Sequence, residues 1–257
     1  MTQTTEAPPA APQPKQRSQT RQVVLMWVVL TILLELFALF VPAHLMGAPA
    51  SNDMIDIENS MTVFSVTAAP VAALVWAIAI YSLLRWRHRG SGPPDSAGAP
   101  IRTNVKVVAV WTAVSSLLCL FLFIWGEVEL SAEQSSAAAS NGTVIDVTGQ
   151  QWAWTFSYPG AGGFTSDVLY LPVNKPVTFR VTSEDVVHSF WVVQLGTKID
   201  ANPGETTTAS VTPDKLGTYA VRCAELCGIY HAYMEAKVHV VSASDFRAWL
   251  KSNKAQG

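Results

Sequence analysis

The spacing of apolar residues changes near residue 143. Before that point they form three long runs, 23–41, 61–84 and 105–125. Each run approaches the ~20 residues that a helix needs to cross a bilayer. Trp27, Trp86 and Trp125 stand at the run ends, where indoles favour the membrane interface. After residue 143 the period drops to two. Val177, Phe179 and Val181 alternate with Thr178, Arg180 and Thr182. Tyr219, Val221 and Cys223 alternate with Thr218, Ala220 and Arg222. Ala236, Val238 and Val240 alternate with Glu235, Lys237 and His239. This alternation predicts strands with one buried face. Turn signals at Pro159-Gly160, Gly162-Gly163, Pro203-Gly204 and Gly217 separate short strands, as in an antiparallel sandwich or barrel. Ser244 is placed to cap a terminal helix carrying Phe246, Trp249 and Leu250.

The polar segments orient the helices. The Pro- and Gln-rich tail 1–22 carries Lys15, Arg17 and Arg21 and reads as disordered. Residues 44–60 contain Asp53, Asp56 and Glu58 but no Lys or Arg, whereas the next connection holds Arg85, Arg87, Arg89, Arg102 and Lys106. Cytoplasmic loops collect positive charge, so the tail and the basic loop are expected inside and the β-region outside. Four segments follow: tail 1–22, an extra helix or signal peptide 23–46, a helical hairpin 61–130, and an extracytoplasmic domain 131–257 that opens on a polar linker, 131–141. Ala48-Pro49-Ala50 after a basic start would suit signal cleavage. The run at 23–41, however, exceeds the usual ~7–15 apolar residues of a signal peptide, and an uncleaved helix is the preferred reading. Glu35 inside that run is either a proton or subunit contact, or an acid tolerated against a neighbouring helix. Pro70 is expected to kink the second helix, and Cys119 to be a small buried hydrophobe.

The 257 residues are 49% hydrophobic and 14% charged, unusually apolar for a soluble chain. A net charge of −2 excludes a bulk polycation and speaks against nucleic acid as a partner. With three cysteines, two of them four residues apart, a disulfide framework is not indicated, although a Cys223–Cys227 disulfide competes with metal ligation.

Those two cysteines open the densest cluster of chemistry in the chain, Cys223-Ala-Glu225-Leu-Cys227-Gly-Ile-Tyr-His231-Ala-Tyr-Met234. Thiolate and neutral imidazole are metal-binding forms, and soft sulfur with imidazole selects copper, zinc or iron. Zinc has little use for a thioether, so the set leans towards copper if a second imidazole exists. His188, at a strand end 35 residues before Cys223, can supply it; His239 falls on a polar strand face and reads as a solvated residue.

With these motifs the chain resembles subunit II of haem-copper cytochrome c oxidase. The resemblance rests on His188 with Cys223-x-Glu225-x-Cys227-x3-His231-x2-Met234, on Gly149-Gln-Gln-Trp152-Ala-Trp154, on Thr182-Ser-Glu-Asp-Val-Val-His188-Ser, and on Leu195-Gly-Thr-Lys-Ile-Asp-Ala-Asn-Pro-Gly204. It implies a membrane-anchored all-β protein: two or three N-terminal transmembrane helices followed by a cupredoxin-like antiparallel β-barrel. The barrel would hold two copper ions as a dinuclear CuA centre. Cys223 and Cys227 would bridge them, His188 and His231 would bind one each, and Met234 and the backbone carbonyl of Glu225 would complete the set. The Glu225 carboxylate would reach a magnesium ion at the interface with subunit I. Trp152 would admit electrons from cytochrome c, for transfer to the haem of subunit I and oxygen reduction coupled to proton pumping. Subunit I, subunit III, cytochrome c and the lipid bilayer are the implied partners, and a bacterial plasma membrane the implied location.

Trp152 and Trp154 could instead both be core residues of one strand face. Glu184, Asp185, Asp167 and Asp200 could form an acidic docking face or simply be solvated; residues 126–257 hold thirteen acidic and nine basic side chains. The family often has a Glu near the cytoplasmic end of its second helix. Here that position, aligned on Trp111, falls near Val108 with Lys106 close by. A quinol oxidase subunit would lack the copper ligands and a blue-copper protein would use one Cys. A membrane-tethered copper carrier, or another cupredoxin electron-transfer protein, is the remaining alternative.

Overall fold

The computed structural model describes residues 16–86, 103–138 and 142–254. Tail residues 1–15, the loop arginines Arg87, Arg89 and Arg102, and residues 139–141 lie outside the described residues. Three helices, α1 (Gln16–Met46), α2 (Asn52–Tyr81) and α3 (Val105–Ala138), precede the strands. Each contains a stretch long and apolar enough to cross a membrane: Ser18–Met46, Asn52–Arg85 and Val105–Ser131. Three expectations shift at the helix ends. α2 begins at Asn52, within the expected acidic loop and ahead of the expected hairpin start at 61. α1 begins at Gln16, inside the expected disordered tail, because Gln16, Arg17, Arg21 and Gln22 are good helix formers that extend the apolar run. α3 likewise continues through most of the expected linker to Ala138, over a segment rich in alanine, the strongest helix former. Cys119 is exposed on α3 rather than buried, so what surrounds it there is not this chain's own core.

The chain divides into two compact units. One takes α1 up to Phe40 and α2 from Val63. Within it, Ala69, Ala73, Ala77 and Tyr81 repeat every four residues on one buried face of α2, and small residues at this spacing let helix backbones approach closely. The Trp27 indole donates to the Pro70 carbonyl at 2.8 Å, and the Tyr81 hydroxyl donates to Gln22 Oε1 at 3.0 Å. Glu35 is half-buried on α1.

The second unit takes Val41–Thr62 and the chain from Val105 onward. Among the described residues its ten strands are β1 (Thr143–Gln150), β2 (Ala153–Ser157), β3 (Thr165–Ser166), β4 (Leu169–Pro172), β5 (Val177–Ser183), β6 (His188–Val192), β7 (Thr197–Ala201), β8 (Thr207–Val211), β9 (Gly217–Cys223) and β10 (Glu235–Val241). They form two five-stranded sheets, ordered β3-β2-β1-β5-β8 and β4-β10-β9-β6-β7. Most pairs are antiparallel; β1 with β5 and β10 with β4 are parallel. The alternating residues pack between the sheets. Ile145 lies opposite Phe179 and Val147 opposite Val181 in the first sheet, and these side chains, with Phe156, Phe190, Leu169, Leu171, Val221 and Val238, are fully buried. Each such side chain contributes ~1.5–3 kcal/mol when removed from water.

Helix α4 (Ala243–Lys254) closes the chain. Its cap is Ser242, not Ser244: the Asp245 amide donates to Ser242 Oγ at 3.1 Å, and Ser242 Oγ donates to the Asp245 carboxylate at 2.7 Å. The acidic residue three positions on makes Ser242 the better cap. α4 brings Trp249 flat onto Tyr170, with ring centroids 4.2 Å apart. His239, expected on a solvated face, is half-buried against Tyr170 and bonded to the Thr218 hydroxyl.

The segment before α2 is built into the β-domain. The Ala50 amide donates to Gln194 at 2.7 Å, the Asp214 amide donates to Ala50 at 2.9 Å, and Lys215 reaches the Pro49 carbonyl at 2.6 Å. Fully buried Ser51 accepts the Met54 amide at 3.1 Å as the α2 cap and donates to the Leu195 carbonyl at 2.9 Å. Gly196 lies against the backbone of this turn, with φ of +64° and room for no side chain: a Cβ there would sit 2.8 Å from the Met54 nitrogen. Ser51→Ala removes a cap and leaves the buried Leu195 carbonyl to the longer bond from the Thr197 hydroxyl, at 3.4 Å. We expect it to destabilise this junction by about 2 kcal/mol, seen as faster hydrogen exchange of the first-turn amides of α2.

Candidate metal centre

One end of the second sheet carries the chemistry. His188 opens β6 and Cys223 ends β9, and the two strands pair with Phe190 opposite Cys223. The chain after Cys223 leaves the sheet but stays tied to it, because the Ala224 amide donates to the Ser189 carbonyl at 2.9 Å. It loops out through Glu225 and Cys227 and makes a short 3-10 turn over His231–Tyr233. It returns at Met234, whose carbonyl accepts the Cys223 amide at 3.0 Å. Both ends of the loop are thus fixed on β9 and the start of β10.

This closure brings the donors together. The two sulfurs lie 3.7 Å apart as free thiols, far beyond a disulfide bond of ~2.0 Å. Cys223 Sγ lies 3.8 Å from His188 Nδ1 and 3.2 Å from the Glu225 carbonyl oxygen. Cys227 Sγ lies 3.6 Å from His231 Nδ1 and 3.7 Å from Met234 Sδ. His188, Cys223 and Cys227 bring their ligand atoms within 4.8 Å of one another. His188 and Met234 are fully buried, His231 is partly covered, and Glu225 is exposed. An ion about 2.3 Å from each sulfur could touch both thiolates. Two soft thiolates, two imidazoles and a thioether fit copper better than a hard cation.

The surroundings orient these ligands. Asp185 Oδ1 accepts His188 Nε2–H at 2.8 Å, which leaves the Nδ1 lone pair facing Cys223. Burial of Asp185 alone would raise its pKa. Hydrogen bonds from the Gln151 amide, from His188 and from the Val186 amide outweigh that and hold the carboxyl at about 2. The Cys227 thiol is pushed up to about 11, first by burial and then by its hydrogen bond and proximity to Cys223. A bound cation would therefore have to displace its proton. Gly149 makes room for the imidazole, since a Cβ there would come within 3.1 Å of both His188 and Trp154.

Trp152 and Trp154 part company. Gln150 pairs with Ala153, so Gln151 and Trp152 form the two-residue loop of the β1–β2 hairpin. Trp154 enters the core, 2% exposed, edge-on to His188. Trp152 is half-buried and its indole donates to the Cys227 carbonyl at 3.1 Å; Gln151 Nε2 donates to the same oxygen at 2.8 Å. Sequence reasoning missed Gln151, and it read Asp185 among the acids of a docking face. Asp167, Glu184, Asp185 and Asp200 are all exposed, but the Asp185 carboxylate is also bonded to His188. A carboxylate three residues before a candidate histidine ligand was the available signal.

Comparison with known proteins points to one family. Residues 164–241 match the family model for the cytochrome c oxidase subunit II periplasmic domain. A "Cytochrome c oxidase subunit 2" from Thermostichus vulcanus is 28% identical, covering 87% of this chain and 84% of that one. An "Alternative cytochrome c oxidase subunit 2" from Bradyrhizobium diazoefficiens is 30% identical over 90% of this chain and 92% of that one. The crystal structure of the periplasmic domain of subunit II of cytochrome oxidase from Bradyrhizobium japonicum is 32% identical, covering 44% of this chain and 94% of that one, with a TM-score of 0.43. A relative aligned over nearly its whole length, helices included, places the chain in the cytochrome c oxidase subunit 2 family, as a subunit of a haem-copper oxidase.

Proposed function

We propose that this chain holds a dinuclear copper centre, takes electrons from a c-type cytochrome and passes them to the haem of the catalytic subunit. One observation carries this reading: two thiols 3.7 Å apart, each beside an imidazole Nδ1 and one further donor. Cys223 and Cys227 would bridge two copper ions, with His188, His231, Met234 and the Glu225 carbonyl completing the set. Such a centre shares one electron over two metals, so each bond to the protein changes little on reduction. The chain supports this by rigidity: Asp185 holds His188, the β9–β10 ladder holds both loop ends, and the fully buried Met234 forms the floor.

Trp152 would admit the electron, because its indole hydrogen bond ends on the carbonyl of a bridging cysteine. The exposed Glu225 carboxylate would be free to hold a magnesium ion at the subunit I surface. The first helix would remain in the mature protein, where Trp27 and Gln22 bond to α2 and Ala50 to the β-domain. The β-domain would lie outside a bacterial plasma membrane, with subunits I and III as neighbours. A copper carrier would have no need of the Trp152–Cys227 bond.

The test is anaerobic mixing of the copper-loaded full chain with reduced soluble cytochrome c. The copper absorption should bleach as the cytochrome oxidises. Persistence of both spectra would contradict electron acceptance.

A further inference from the structure

Tyr230 was not among the residues singled out in the sequence, yet it covers the indole through which the electron is proposed to enter. Its ring meets Trp152 edge-to-face, with centroids 4.9 Å apart and planes at 83°. On another side the indole lies against Gly228. A Cβ at Gly228, which has φ of +120°, would sit 3.2 Å from Trp152 Cζ2 and 3.3 Å from its Nε1. Trp152 is thus held by the Gly228 backbone, the Cys227 carbonyl and the Tyr230 ring. The backbone around Tyr230 is itself fixed: the His231 amide donates to Gly228 at 3.1 Å and the Tyr233 amide donates to Tyr230 at 2.9 Å. Its position is therefore tied to the turn that carries His231.

Tyr230 also faces outward. It is 53% exposed, whereas Trp152 is only partly so, and its loop neighbours Ile229 and Leu226 are 81% and 78% exposed. Among Leu226–Tyr233 no side chain is acidic, and His231 is the one titratable base. A rigid aromatic beside exposed aliphatic side chains has the character of an interface hot spot. The occupant this fits is a small haem protein that presents an apolar rim. The outer domain's excess of acidic over basic side chains favours a basic one.

We propose that Tyr230 is a positioning residue for electron transfer, which fixes Trp152 over the Cys227 carbonyl and offers the donor cytochrome an aromatic contact next to the indole. This rests on the copper and electron-acceptance reading above. The test compares wild type, Tyr230→Phe, Tyr230→Leu and Tyr230→Ser in the assembled oxidase, with mitochondrial cytochrome c as donor. Tyr230→Ser should raise the KM for cytochrome c about tenfold, the size expected for loss of an aromatic hot spot, with kcat at saturation changed much less. Tyr230→Phe, which keeps the ring, should restore the wild-type KM. Copper content, the copper EPR spectrum and reduction by dithionite should be unchanged. Should Tyr230→Ser lose copper, Tyr230→Leu, which keeps an apolar side chain on the loop, decides in its place. A wild-type KM in the deciding variant, with copper intact, overturns the role of Tyr230 alone. A wild-type protein that cytochrome c cannot reduce overturns both this role and the reading on which it rests.

Discussion

Cys227→Ser is expected to eliminate the shared-electron copper signal. The substitution changes one atom and should leave the fold alone: the Cys227 carbonyl keeps its bonds from Trp152 and Gln151, and no disulfide is lost. What disappears is a soft thiolate 3.7 Å from Cys223 and from Met234 and 3.6 Å from His231. A serine hydroxyl is a hard donor that stays protonated near neutral pH, so it cannot bridge soft metal ions. The variant should hold at most one copper, with EPR hyperfine structure from one nucleus. An unchanged mixed-valence spectrum would mean that Cys227 is not a bridging ligand.

Asp185→Asn is expected to weaken copper binding by ~10–100-fold, the usual cost of disturbing a partner behind a metal-ligating histidine. One carboxylate accepts from His188 Nε2, from the Val186 amide and from the Gln151 amide. An asparagine amide has one oxygen and an NH2 group, so one side of this arrangement becomes donor against donor. His188 then has at best a neutral amide oxygen behind it in place of a carboxylate, and the mismatch falls on the Gln151 amide or on the imidazole itself. Competition with a copper chelator reads the change directly, and wild-type affinity in the variant would show that the imidazole is oriented by packing alone.

The proposed ligand set was legible because most of it is local. Five of its six members lie within twelve consecutive residues, and the sixth, read as lying at a strand end, opens β6 shortly after the alternating run 177–182. The membrane helices were legible for a similar reason, since apolar runs of this length have few other fates. The supporting contacts were not, because they depend on how distant segments meet. Nothing local to Ser51 announces a hydrogen bond to Leu195, 144 residues away. Trp152 and Trp154 obey the period-two rule on paper, but a two-residue hairpin at Gln151-Trp152 puts one in a loop and the other in the core. Asp185 belongs to an acidic stretch that charge counting treats as surface; it stays exposed, but a turn of the backbone, stitched by the Ser183 hydroxyl donating to the Val186 carbonyl, brings its carboxylate onto His188. Helix ends moved for a simpler reason. Polar residues with good helix propensity prolong an apolar helix, which extends α1 back to Gln16 and α3 on to Ala138.

Metal analysis with EPR on the purified full chain loaded with copper tests the dinuclear centre most directly. Two copper ions per chain are expected, with a spectrum in which one unpaired electron couples equally to both nuclei. A single copper with hyperfine structure from one nucleus, or zinc bound by Cys223 and Cys227 in preference to copper, would contradict a dinuclear copper centre.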